Sequence, residues 1–100
     1  MTDPILADLF RLSKELLDTA AGNGVTIGVV ESCTGGLLGA AITAMPGSSS
    51  VFQGGFLTYS NALKQSLVGV AAETLAAHGA VSEQTASEMA SGARDRLGVD

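Results

Sequence analysis

Cysteine occurs once in this 100-residue chain, at Cys33, so neither an internal disulfide nor a cysteine-built zinc site can stabilise the fold. A lone thiol fits a reducing compartment. Positive charge is also sparse: Lys and Arg total 5 against 10 Asp and Glu, for a formal net charge of −5. So few cations cannot form a phosphate-neutralising stripe, which argues against DNA or RNA as a partner. No apolar run reaches the roughly 18 residues needed to cross a bilayer, and a start carrying Asp3 and Asp8 is unlike the basic start of a signal peptide. The expected address is cytoplasmic, away from membranes. Histidine appears only as His78, just before Gly79, where it suits a helix end better than a metal site.

What is present is a compact apolar chain. Hydrophobic residues make up 46% and charged residues 15%, which excludes disorder and predicts one domain spanning residues 1–100. A domain of this size buries a smaller share of its surface than a larger one, so additional chain or a partner matters to its stability. The charge shortage is most informative locally: between Thr19 and Ala72 only Glu31 and Lys64 are charged. Ionised side chains are seldom left in apolar surroundings unless paired or used chemically. Glu31, its neighbour Ser32 and Lys64 are therefore the first candidates for chemistry.

Asp3 before Pro4 is a helix start, and Ile5, Leu9, Leu12, Leu16 and Ala20 recur at helical spacing as one apolar stripe. Gly22-Asn23-Gly24 ends that helix. Val25 to Val30 is short, β-branched and nearly all apolar, as expected for a central strand covered on both faces. Glu31-Ser32-Cys33-Thr34-Gly35-Gly36 follows as a strand-to-helix turn, and Leu37 to Ile42 reads as a small-residue helix broken at Met45-Pro46-Gly47. Val51 to Tyr59 reads as a second strand, in which Gly54-Gly55 signals a bulge or a close backbone approach. Ser60 or Asn61 can cap a helix towards Val68, with Lys64 one turn in. A further helix covers Ala71 to His78. Ser82 caps the last, with Ala86, Met89, Ala90, Ala93 and Leu97 facing inward and Gly98 closing it. Strands alternating with helices give an α/β layered fold, helices over a sheet.

A serine at the end of a buried strand, followed by glycines that open a helix, sits where backbone amides converge on a small volume. Such amides bind an anion, either a phosphate or the oxyanion of an acyl-transfer intermediate, and Ser32 and Thr34 place two hydroxyls beside it. Tight packing alone also explains a serine-glycine turn. A lysine desolvated beside an apolar wall can act as the base a serine needs, so Ser32 and Lys64 together suggest a dyad. The bland alternative is that Lys64 snorkels to water. Tyr59, the single tyrosine, can relay a proton, hold substrate or simply pack. Glu31 can pair Lys64, orient Ser32 or cap the next helix, and Cys33 is either a second candidate nucleophile or a small core residue.

Taken together, Glu31-Ser32-Cys33-Thr34-Gly35-Gly36, Pro46-Gly47-Ser48-Ser49, Tyr59-Ser60-Asn61 with Lys64, and His78-Gly79-Ala80-Val81-Ser82 resemble the CinA C-terminal domain family. The family includes the nicotinamide-nucleotide amidases, and the resemblance runs in order from about Val25 to Leu97. It implies an α/β fold with helices layered over a mixed sheet. It also implies an amidohydrolase converting nicotinamide mononucleotide to nicotinate mononucleotide and ammonia, within pyridine-nucleotide recycling. By that resemblance Ser32 is the nucleophile, Lys64 its base and Tyr59 an assisting group, while Glu31, Thr34, Gly35, Gly36 and Asn61 bind substrate. No cofactor and no metal are implied, and the expected assembly is a homodimer. Family members continue beyond the position of Asp100 into a further strand, a glycine-proline-rich loop and additional elements. On this resemblance the chain is the N-terminal portion of the domain. A non-catalytic module that binds a nucleotide or phosphate through the same turn is the alternative function.

Overall fold

The computed structural model describes residues 3–100. Five helices and two strands follow one another as α1 (Pro4–Gly22), β1 (Ile27–Glu31), α2 (Leu37–Thr43), β2 (Phe52–Leu57), α3 (Asn61–Val68), α4 (Ala72–His78) and α5 (Glu83–Leu97). A single 3-10 turn, Ser48–Ser50, leads into β2. The helix starts are chemical as expected: Asp3 accepts from the amides of Ile5 and Leu6, Ser60 from that of Leu63 and Ser82 from that of Thr85. Gly69 and Gly98 end α3 and α5 in the left-handed conformation, at φ 74° and 67°.

The two strands are parallel and adjacent, joined through α2 as a βαβ unit. Helices cover both faces, giving the expected α/β layered fold; no antiparallel member of the expected mixed sheet lies among the described residues. One core gathers Leu17, Ala20, Ile42 and Val51 with the α1 and α2 side of the sheet. The other gathers Val68, Val70, Met89 and Ala93 on the α3 and α5 side. β1 serves both, since Ile27 and Val29 pack into the first core and Val30 into the second. It is covered on both faces but is not central: β2 is its one sheet partner, and its other edge runs beside the chain end. There Asp100 donates its amide to the Thr26 carbonyl at 3.2 Å and accepts from the Thr26 amide at 2.9 Å.

β2 carries a bulge. Ile27 pairs with Phe52 but Gly28 with Gly54, so Gln53 is the extra residue. The skip sends Phe52 into the first core and Phe56 into the second. Gly55 shows the close approach that the glycine pair suggested, because a Cβ there would lie 2.5 Å from the Val29 carbonyl oxygen.

The α1 stripe differs from expectation. Ser13, Leu17 and Ala20 are its buried residues, whereas Ile5, Leu12 and Leu16 are exposed. Ser13 is accommodated because its hydroxyl donates to the Leu9 carbonyl at 2.8 Å. Only the C-terminal half of α1 docks against the first core, and that half turns a neighbouring face inward.

Candidate active site

β1 ends at Glu31, and the pleat places consecutive residues on opposite sides of the sheet. Glu31 falls on the α2 side and is 6% exposed. Its carboxylate accepts from Thr34 Oγ1 at 2.7 Å, from the Leu38 amide at 2.8 Å and from the Gly39 amide at 3.0 Å. Burial alone would raise its pKa, but the amides of Gly39, Leu38 and Gly36 and the Thr34 hydroxyl together outweigh burial and hold it below 4.5. Glu31 is thus the clamp that folds the turn onto α2. Gly39 is part of the fit, because a Cβ there would lie 3.3 Å from the carboxylate. Gly35 and Gly36 take φ of 63° and 108°, which lets the chain reverse within the turn.

Ser32 falls on the other side, facing α3 and α5. Lys64, 1% exposed, reaches it from the first turns of α3, with Nζ 3.0 Å from Ser32 Oγ. The same Nζ donates to the backbone carbonyls of Thr58 and Tyr59, each at 2.8 Å. No carboxylate pairs with Lys64: the ion pairs among the described residues all lie along α1. Glu31 therefore does not salt-bridge Lys64. Thr58 is fully buried and its hydroxyl finds no partner among the described residues, so its polar contribution here is the carbonyl.

The remaining sequence candidates divide. Thr34 is committed to Glu31. Tyr59 contributes its carbonyl while its side chain is 74% exposed, free to meet a ligand from the solvent side. Asn61 opens α3 at the surface, and its carbonyl accepts from the Gln65 side chain. Within the turn, the Gly35 amide donates to the Ser32 carbonyl and the Leu37 amide to the Thr34 carbonyl. The amides of Cys33 and Thr34 have no acceptor among the described residues, and these are the donors available to an oxyanion. Residue identities in this turn do not reveal which of its amides are left without an acceptor. Nor does the sequence reveal the carbonyls of Thr58 and Tyr59, because a main-chain acceptor leaves no trace in residue identity.

Beside Ser32 lies an open cavity of about 570 Å³. Val30, Ser32 and Cys33 form one wall and Ala86, Met89 and Ala90 of α5 the other, with Ala80 to Glu83 at the rim. Ala86 and Ala90, expected in the packed stripe of α5, instead face this space. Their small side chains keep it open. The arrangement joins a hydroxyl, a buried amine, two free amides and a ligand-sized cleft, which are the parts a covalent acyl-transfer site requires. Among the described residues no group of His, Cys, Asp and Glu is arranged to hold a metal.

The chain has counterparts among known proteins. The model of the CinA C-terminal domain matches residues 9–100. A CinA-like protein of Parasynechococcus marenigrum is 49% identical over the whole chain, which spans 27% of that protein. A putative competence-damage inducible protein of Halothermothrix orenii is 52% identical over 93% of the chain, which spans 22% of it. Among solved structures, a competence/damage-inducible protein of Agrobacterium tumefaciens superposes with a TM-score of 0.85 at 44% identity, over 89% of this chain and 54% of that one. A CinA superfamily protein of Escherichia coli superposes with a TM-score of 0.91 at 29% identity, over 100% of this chain and 58% of that one.

Proposed function

The chain belongs to the CinA C-terminal domain family, and on that premise we propose that it carries the serine-lysine dyad of an amidohydrolase acting on nicotinamide mononucleotide. The products are nicotinate mononucleotide and ammonia. The observation that carries the proposal is the buried Lys64 Nζ at 3.0 Å from Ser32 Oγ, with no carboxylate partner. A structural lysine normally keeps its head in water or paired with an acid. This one does neither.

The bonding pattern supports a specific division of labour. A neutral lysine amine has two N–H bonds and one lone pair. If the two N–H bonds go to the carbonyls of Thr58 and Tyr59, the lone pair is left facing the Ser32 hydroxyl. Ser32 then donates its proton to Lys64 as Oγ attacks the carboxamide carbon, and the amides of Cys33 and Thr34 receive the developing oxyanion. Lys64 passes that proton to the amide nitrogen, the C–N bond breaks and ammonia leaves. Water next gives a proton to Lys64 and attacks the acyl-serine; the ester bond breaks, Oγ regains its proton and the carboxylate product departs.

The alternative, a module that holds a nucleotide or phosphate on the same turn amides, needs neither Ser32 nor Lys64 to react, so turnover separates the two readings. Steady-state ammonia release from nicotinamide mononucleotide tests the proposal directly. Turnover should be present in the full chain and fall by at least about a thousandfold in Ser32→Ala, the scale on which loss of a catalytic nucleophile is felt. Binding of the nucleotide without any ammonia release would favour the non-catalytic module.

A further inference from the structure

We infer, building on the amidase reading, that the cavity beside Ser32 selects a cationic pyridinium ring and that Glu83 is the specificity-determining residue. The lining is almost entirely apolar, with Val30, Ala80, Val81, Ala86, Met89 and Ala90 supplying most of its surface. Neither Lys, Arg nor His contributes to it, and Glu83 is its one charged residue. Among the described residues that carboxylate makes no ion pair, and none of the side-chain hydrogen bonds of the rim employs it. It stands in the first turn of α5. An uncommitted carboxylate at the rim of an apolar slot is complementary to a flat ring that bears a positive charge.

Nicotinamide mononucleotide carries such a ring, because its pyridine nitrogen is bonded to the sugar. The carboxamide would meet Ser32 at the cavity wall while the ring charge faces Glu83. The phosphate would be repelled by Glu83 and held outside, towards solvent. Neutral nicotinamide gains the same apolar contact but not the charge interaction, so the free base is discriminated against.

Calorimetric binding to the full chain carrying Ser32→Ala, so that turnover does not intervene, tests the inference with two probes, 1-methylnicotinamide and nicotinamide. The cation should bind about tenfold more tightly, the scale of one partly screened charge pair, and the preference should shrink in high salt. Adding Glu83→Gln should bring the two probes within about twofold of each other, with the melting temperature checked to show that the fold persists. Equal affinities with Glu83 present, a preference that survives in Glu83→Gln, or no binding of either probe would each overturn the inference. The amidase reading stands or falls separately, on ammonia release by the chain with its native Ser32. Turnover without a cation preference sinks the selectivity inference alone, and a cation preference without turnover sinks the amidase reading alone.

Discussion

An ammonium has three protons to donate and a free amine only two, and the three acceptors around Lys64 Nζ fit either state with different consequences for Ser32. As an ammonium Lys64 locks the serine as an acceptor; as an amine it draws the serine proton. Lys64→Met removes both possibilities and should abolish ammonia release as fully as Ser32→Ala, with the double variant costing little more than either. It also leaves the buried Thr58 carbonyl without its donor, so urea titration should show a loss of about 1–3 kcal/mol. Tyr59→Phe keeps the carbonyl and should leave stability within about 0.5 kcal/mol; any loss of turnover then measures what the exposed hydroxyl does for the substrate. Glu31 gives the pH test. Its folded pKa is depressed, so its stabilising contribution is complete above 4.5 and is lost as pH falls through the lower folded value. Glu88, whose carboxylate accepts from the Ala71 amide and the Thr74 hydroxyl, is depressed in the same direction and acts in the same window. Melting temperature should therefore drop on acidification below 4.5, and Glu31→Gln should lower it at neutral pH while flattening that acid limb. A full acid limb in Glu31→Gln would assign the effect to Glu88 and the other carboxylates.

The elements reveal where residue patterns speak and where they fall silent. Asp3, Ser60, Ser82 and Gly98 mark helix boundaries correctly because capping is local chemistry, decided within one turn. The Ser32 and Lys64 pairing was legible for a different reason, since isolated charge in an apolar stretch has few stable explanations. The stripe of α1 was not legible. Its sequence supports adjacent apolar faces, and which one is buried depends on docking against α2 and the sheet rather than on periodicity. The bulge at Gln53 was half legible: the glycine pair located it, but the opposite destinations of Phe52 and Phe56 depend on pairing with β1. Gly92 was passed over for the same reason. Its Cβ would come within 1.7 Å of the Val68 carbonyl oxygen, so α5 meets α3 backbone to backbone. Gly92→Ala must push the two helices apart, and about 1–3 kcal/mol of destabilisation is expected in chemical denaturation. Because α3 carries Lys64, turnover should fall with it. Normal stability in this variant would show that the helices accommodate the methyl by sliding.

At the scale of the molecule, a two-stranded sheet is shared by two cores in a body measuring 40 × 34 × 17 Å. Among the described residues β2 is the one sheet partner of β1, and Ile5, Leu12 and Leu16 of α1 are exposed. Unpaired strand edges and apolar surface promote association. Sedimentation velocity should show a concentration-dependent shift from monomer towards dimer; a single monomeric species across the micromolar range would count against a homodimer. The pleat at the end of β1 has a less obvious consequence. Glu31 and Ser32 are neighbours in the chain yet serve different layers, one anchoring α2 and the other facing Lys64. The peptide between them is common to both layers, so the placement of Ser32 depends on how Glu31 is held. Glu31→Gln in a chain that still folds should therefore shift ammonia release without altering the lining of the cleft, and unchanged turnover would show the two layers to be independent.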